Sequence, residues 1–136
     1  MSGKKKNKYI IAAIIFVVIV LILFAAFRWR ANYAKNEVLC YASDDGEHTL
    51  VIYRIGEPDF PFGATHCRFD LLEDGKRIIQ YDFDISDDGA NADAGNFTIM
   101  QSDDSITVDV YGSEQGTATY VLNYDGTVDA LLPGNA

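Results

Sequence analysis

The sequence predicts an all-β domain, an antiparallel meander folded as a sandwich or a partly closed barrel, preceded by one N-terminal transmembrane helix. Three observations predict it: nineteen consecutive uncharged residues from Tyr9 to Phe27, an alternation of apolar and polar residues after position 38, and frequent turn signals there. The expected organisation is a basic tip (1–8), the helix (9–27), a juxtamembrane linker (28–37) and the β domain (38–136).

The apolar run is long enough to cross a bilayer. At about 1.5 Å of rise per residue, it forms a helix roughly 28 Å long. A cleaved signal peptide has a shorter apolar segment, which is followed by two small residues spaced by two. The alanines that follow this run do not have that spacing. We therefore interpret the run as an uncleaved signal-anchor that contacts membrane lipid.

The charges beside the run predict its orientation. Lysines at positions 4, 5, 6 and 8 precede it, whereas Arg28, Arg30 and Lys35 follow it. Cytoplasmic flanks carry an excess of Lys and Arg. We expect a single-pass protein of the cell membrane, with its N-terminus in the cytoplasm and its C-terminal domain outside.

The β domain is strongly acidic. All 20 acidic residues lie from Glu37 onward, and only Arg54, Arg68, Lys76 and Arg77 are basic there, which leaves a formal charge of −16. A domain of this charge is repelled by phosphate backbones. The composition therefore excludes nucleic acid as a partner.

Eight strands are predicted from the alternation. In residues 77–85 the odd-numbered positions from Ile79 to Ile85 are apolar, and the even-numbered positions between them are polar. Asp-Gly pairs, which favour the positive φ of tight turns, separate several of the segments and predict hairpins joined in series. The predicted strands are Val38–Ala42, His48–Ile55, Thr65–Leu72, Arg77–Ile85, Phe97–Gln101, Ile106–Tyr111, Ala118–Tyr124 and Thr127–Leu132.

The first hairpin begins with the segment SDDGEHTLVIY, residues 43–53. Together with the lysine-tipped anchor, it resembles the opening of small uncharacterised single-pass membrane proteins of Gram-positive bacteria that carry a β-rich outer domain. The resemblance covers the anchor and a short stretch beyond it. It implies a bacterial surface location and no known activity, and it assigns no functional residue.

Two cysteines, Cys40 and Cys67, lie in predicted strands on the outer side of the membrane. An even number of cysteines in an oxidising compartment predicts a disulfide between them, which would stabilise the domain by roughly 3 kcal/mol. The alternative is two free thiols that pack as small apolar side chains.

One acidic loop contains the spacing of a metal site. Asp84, Ser86 and Asp88 match the first half of an EF-hand calcium loop, and Asp93 offers a further oxygen ligand. Position twelve is Gly95, where a bidentate glutamate is expected, and no helix flanks the loop. The favoured interpretation is an acidic hairpin loop with no cofactor, and the alternative is a weak calcium site.

The connection GEPDFPFG, residues 56–63, contains Phe60 and Phe62 together with two of the three prolines. Loops on rigid β scaffolds often carry binding residues, and rigid aromatic rings make good contacts. Phe60 and Phe62 are therefore candidate partner-binding residues, and the alternative is that they cover an open end of the core.

No catalytic signature is present: the chain contains neither Gly-x-Ser-x-Gly, nor Ser-x-x-Lys, nor His-Glu-x-x-His. The sequence favours a non-enzymatic binding or accessory module of the cell envelope, with a protein or envelope component as its partner. A calcium-dependent surface or adhesion module is the alternative. An envelope hydrolase ranks third.

Overall fold

The computed structural model describes residues 2–59, 61 and 63–132. The chain divides into two compact units, Met1–Tyr33 and Ala34–Ala136. The first unit is helix α1, Ser2–Tyr33. Its apolar side chains are exposed, and its segment Gly3–Arg30 is long and apolar enough to cross a membrane.

Within its described residues, the second unit, the β domain, contains eight strands, as predicted. Residues 28–37, predicted as a linker, divide between the end of α1 at Tyr33 and the start of β1 at Lys35. The strands are β1 Lys35–Ala42, β2 His48–Ile55, β3 Thr65–Glu73, β4 Lys76–Ile85, β5 Phe97–Gln101, β6 Ser105–Gly112, β7 Gln115–Asn123 and β8 Val128–Leu131.

The strands form two antiparallel four-stranded sheets. The first sheet has the order β1-β2-β3-β4 and the second the order β5-β6-β7-β8. Each strand therefore pairs with its neighbour in sequence, which confirms the predicted meander within each sheet. Hairpins with short turns are sufficient for this connectivity because antiparallel neighbours need no crossover.

The first sheet has an inner face, which contributes to the core, and an outer face. Ile52, Cys67 and Phe69 lie on the inner face and are almost completely buried. Phe69 stacks on Phe83 of β4 with ring centroids 4.1 Å apart, and it meets Tyr120 of β7 edge-on at 5.4 Å. Side chains of both sheets therefore belong to one hydrophobic core.

The β1–β2, β3–β4, β5–β6 and β7–β8 turns lie at the same end of the β domain, which we call the turn end. Gln101, the last residue of β5, accepts hydrogen bonds from the backbone N–H of Asp44 (2.9 Å) and the hydroxyl of Tyr41 (3.2 Å). These bonds join the β1–β2 turn of the first sheet to the second sheet. The opposite end, the loop end, contains the segments 56–64 and 86–96 and the β6–β7 turn.

Candidate functional site

The β1–β2 turn builds the centre of the turn end. Asp45 accepts hydrogen bonds through Oδ1 from the hydroxyl of Ser43 and from the backbone N–H of Glu47 (2.8 Å). Gly46 follows with a φ of 72°, a conformation that glycine adopts without strain. The hydrogen bond from Ser43, then that from Glu47, lowers the pKa of Asp45 to about 2, so this carboxylate is ionised at neutral pH.

His48, the first residue of β2, lies directly behind this turn and is only 4% exposed. Its ring stacks on the ring of Tyr124, with centroids 3.5 Å apart and planes 4° from parallel. Nδ1 lies 3.2 Å from Oδ2 of Asp45, and Nε2 lies 3.3 Å from Oε1 of Glu73. The second contact lacks hydrogen-bond geometry, and Nε2 has no hydrogen-bond partner.

Asp45, Glu47 and His48 place one potential ligand atom each within 4.8 Å of the others. In the described part of the chain, they are the one group of three His, Cys, Asp or Glu side chains that meets this distance. The sequence analysis did not identify this group. The run Asp-Gly-Glu-His, residues 45–48, is a local sequence signal that could have predicted this group. Glu73 and Tyr124 lie far from this run in the sequence, so no local pattern indicates that they contact His48.

Further carboxylates lie near the group because all four turns of the turn end carry acidic residues. Besides Asp45 and Glu47, they are Asp44 of the β1–β2 turn, Glu73 at the end of β3, Asp74 of the β3–β4 turn, Asp103 and Asp104 of the β5–β6 turn, and Asp125 of the β7–β8 turn. Their combined negative potential raises the local concentration of cations.

The structure gives each predicted calcium ligand its own local contacts or backbone conformation. Oδ1 of Asp84 lies 2.7 Å from Nδ1 of His66, and the backbone of Ser86 bonds to Gln115. Asp88 has a positive φ, and Asp93 caps a short 3₁₀ helix by accepting a hydrogen bond from the N–H of Gly95. In the described residues, Asp84, Asp88 and Asp93 do not form a group of three ligand atoms within 4.8 Å of one another, and the weak calcium site stays a prediction.

His66 forms a second acid-flanked site near the loop end. Its Nε2 lies 3.0 Å from Oδ1 of Asp59, and its Nδ1 contacts Asp84. These two hydrogen bonds, the one from Asp84 foremost, raise the pKa of His66 above its usual value. We call this group the His66 clamp. It ties the segment 56–64 to the first sheet.

The candidate partner-binding residues Phe60 and Phe62 lie outside the described residues. The segment around them is closed by its own backbone: the N–H of Asp59 donates to the carbonyl of Ala64 at 3.2 Å, and the N–H of Gly63 donates to the carbonyl of Asp59 at 2.6 Å. Phe60 and Phe62 remain a prediction.

The predicted disulfide does not fit this fold, because both cysteines are free and lie far apart. Cys40 pairs with Val51 on the outer face of the first sheet, whereas Cys67 pairs with Arg54 on the inner face. The two thiols are therefore separated by a whole strand and point to opposite faces. A disulfide requires Cα atoms within about 7 Å and converging side chains.

The turn end contains the residue types of a hydrolase triad in the wrong order. Asp45 lies between the hydroxyl of Ser43 and the ring of His48, and it contacts both. In a catalytic triad the histidine lies between the other two and takes the proton from the serine. Here the Ser43 hydroxyl donates to a carboxylate and is buried, so this group does not form a nucleophile.

Comparisons with protein-family models, with curated proteins and with solved structures found no match to the chain.

Proposed function

We propose that this chain is a single-pass membrane protein whose β domain is a non-catalytic binding or accessory module on the outer side of the cell membrane. The single observation that carries the proposal is the contrast between the two units. Helix α1 exposes a continuous apolar surface, whereas the β domain encloses its own core. Water disfavours a large exposed apolar surface, and a bilayer covers it.

The orientation follows from the lysines that precede the apolar run, since the positive-inside rule retains them in the cytoplasm. The strong negative charge of the β domain agrees with this direction. The resemblance of residues 43–53 to the outer domains of Gram-positive surface proteins also supports an external location.

The two sheets pack as a β-sandwich in this proposal. Contacts of Phe69 and Phe83 with Tyr120 across the core support that arrangement. A sandwich is a rigid support for the loops at its ends, and such loops carry most binding functions.

We propose the turn end as the binding surface. Four turns from both sheets meet there, and the bond from Asp44 to Gln101 joins the two sheets at this point. The exposed carboxylates of Asp44, Asp74 and Asp103 fit a cationic protein or envelope component. Electrostatic complementarity of this kind sets partner choice and the rate of encounter.

Crosslinking on intact cells tests this function. A membrane-impermeant amine-reactive crosslinker reaches Lys76, which is exposed directly after the β3–β4 turn, only if the β domain is outside. We expect specific partners in the membrane fraction, and we expect the triple variant Asp44→Asn, Asp74→Asn, Asp103→Asn to lose at least about 90% of this capture, because each neutralisation removes part of the field.

The matched control is the triple variant Glu57→Gln, Asp88→Asn, Glu114→Gln, which removes three exposed carboxylates at the loop end. It should capture the same partners as the unmodified chain. Equal loss in both triple variants would exclude the turn end as the surface. Reaction of Lys76 only after cell lysis would exclude the orientation, and recovery of the chain in the soluble fraction would exclude the anchor.

A further inference from the structure

His48 and the acidic residues around it form a set of side chains that the proposed binding function does not require. Asp45, Glu47 and His48 combine two carboxylates and one imidazole, and Glu73 stands on the other side of the ring. We propose that Asp45, Glu47 and Nδ1 of His48 bind a divalent first-row transition-metal ion of the Zn²⁺ type. This inference holds whether or not the β domain binds a partner.

The first argument is the distance between the ligand atoms. Nδ1 of His48 lies 3.2 Å from Oδ2 of Asp45. Two atoms that each coordinate Zn²⁺ at about 2.0–2.2 Å are separated by roughly 3.0–3.5 Å at angles from square to tetrahedral. The pair is therefore already at a coordinating distance. Glu47 is exposed, so its carboxylate can close on the same point by a rotamer change.

The second argument is independent and concerns the buried ring. A neutral imidazole has one N–H, and His48 faces a carboxylate at each nitrogen. Nε2 is buried without a hydrogen-bond partner, 3.3 Å from Oε1 of Glu73. Buried polar atoms without partners are rare and costly. A cation bound at Nδ1 would place the N–H on Nε2, where it can donate to Glu73.

With the ion at Nδ1, the N–H of His48 lies on Nε2, 3.3 Å from Oε1 of Glu73, and a small movement of the partly exposed Glu73 side chain would bring the two atoms into hydrogen-bond geometry. Histidines that bind metals commonly donate their second N–H to a carboxylate, which fixes the tautomer and the ring orientation. Glu73 is therefore a positioning residue in this site. Stacking on Tyr124 holds the ring plane, and the bonds from Ser43 and the N–H of Glu47 hold Asp45.

The ligand types select the class of ion. Calcium takes six to eight oxygen ligands, and magnesium retains most of its water. Imidazole together with carboxylates favours Zn²⁺ and its neighbours in the first transition row. Three protein ligands at an exposed turn leave a position open for water or for a group of a partner. The ion is therefore expected to bind at the surface of the turn end.

A thermal-melt experiment on the full chain in detergent micelles tests this site. We expect saturating Zn²⁺ to raise the melting temperature of the β domain relative to chelator, by roughly 10 °C at a free concentration about 100 times Kd. Millimolar Ca²⁺ at the same ionic strength should give no comparable rise. Co²⁺ should report the ligands by visible absorption.

Variants assign the ligands. Glu47→Gln and Asp45→Asn should each reduce the Zn²⁺ shift by more than half. Glu47 has an exposed side chain, and the amide oxygen introduced by Asp45→Asn can accept the same turn hydrogen bonds, so both variants are expected to fold. His48→Asn should abolish both the shift and the Co²⁺ absorption. Glu73→Gln should weaken binding without abolishing it, because Glu73 acts through the ring.

His66→Asn is the matched control. His66 is the other of the two histidines in the chain, and it also has a carboxylate at each ring nitrogen, Asp84 at Nδ1 and Asp59 at Nε2. The variant should retain the full Zn²⁺ shift. The proposal is overturned if Zn²⁺ leaves the melt of the unmodified chain unchanged. It is also overturned if the shift persists in Glu47→Gln and Asp45→Asn, or if His66→Asn removes it. These results are distinct from the crosslinking outcomes because they need no partner.

Discussion

The inner and outer faces of the first sheet each carry one histidine and one cysteine, and the two faces give them different properties. His48 and Cys67 lie on the inner face and are buried, whereas His66 and Cys40 lie on the outer face and are accessible. The residue types are the same, and each histidine has a carboxylate near each of its ring nitrogens. The different reactivity and stability contributions expected of the two histidines and the two cysteines therefore come from burial beneath the second sheet.

The carboxylate partners of His66 and Arg68 on the outer face are exposed to water. Arg68 donates through Nε to Oδ1 of Asp82 at 2.6 Å, beside the His66 clamp. Water screens such pairs, so each contributes little to stability. On the inner face, the ring of His48 is buried against Tyr124, directly after β7 of the second sheet. Loss of the His48 ring therefore removes packing as well as polar contacts. Three measurements test this difference, beginning with the largest expected effect.

The largest difference should appear in thiol reactivity. Cys67 is 1% exposed, and burial raises the pKa of its thiol to about 12. A reagent therefore reaches the sulfur poorly, and only a very small fraction of the thiol is in the reactive thiolate form. Cys40 should react at once with a maleimide in the folded chain, and Cys67 should react at least about a thousandfold more slowly, because it needs unfolding. Mass spectrometry of the labelled chain gives the two rates.

The same experiment decides the disulfide. One label in the folded state and two in denaturant without reductant are expected. No label in denaturant until a reductant is added would show that Cys40 and Cys67 are bridged, and it would contradict the strand register described above. Equal rates for the two thiols would show that the inner face is open to solvent.

The second difference concerns the free energy of unfolding. His48→Ala removes a buried ring that stacks on Tyr124, and we expect a loss of about 2–4 kcal/mol. His66→Ala removes an exposed ring with two screened carboxylate contacts, and we expect a loss below about 1 kcal/mol. Denaturant unfolding of the full chain in detergent, with chelator present, measures both.

Chelator is needed because an ion bound at His48 would add to its apparent contribution. Tyr124→Phe is a useful companion variant, since it preserves the stacking surface and removes a hydroxyl that has no partner in the folded state. It should cost little. Similar losses for His48→Ala and His66→Ala would contradict the assignment of the two faces.

The smallest effect should be the pH dependence of the His66 clamp. Hydrogen bonds to Asp84 and Asp59 raise the folded-state pKa of His66 above the ordinary value of 6.5. The clamp therefore stabilises fully below the ordinary pKa, and its contribution is lost as the pH rises through the higher folded-state pKa. The difference in melting temperature between the unmodified chain and His66→Asn should shrink as the pH rises from about 5.5 to about 8.5.

Asp84→Asn provides the control, because it removes the first cause of the raised pKa and should flatten this pH dependence. A difference that grows with pH would mean that His66 is stabilised in its neutral form. A difference that stays constant would mean that the clamp contributes through packing alone.

The sequence by itself determined the secondary structure of this protein. The apolar run predicts α1, and the alternation and Asp-Gly turns predict the eight strands and the meander within each sheet. These features are local, because an alternation of period two or a turn residue acts within a few positions of the chain. In the same way, the burial of Ile79, Phe83 and Ile85 could be predicted from their spacing.

Only the tertiary structure decided which side chains meet. Spacing along the chain gave Asp84 only as a candidate ligand of a weak calcium site, whereas the β3–β4 register places Asp84 opposite His66. Similarly, His48 acquires Glu73 from the next turn of its sheet and Tyr124 from the other sheet. Contacts of this kind depend on strand register and on the packing of two sheets, and neither is encoded within a single segment.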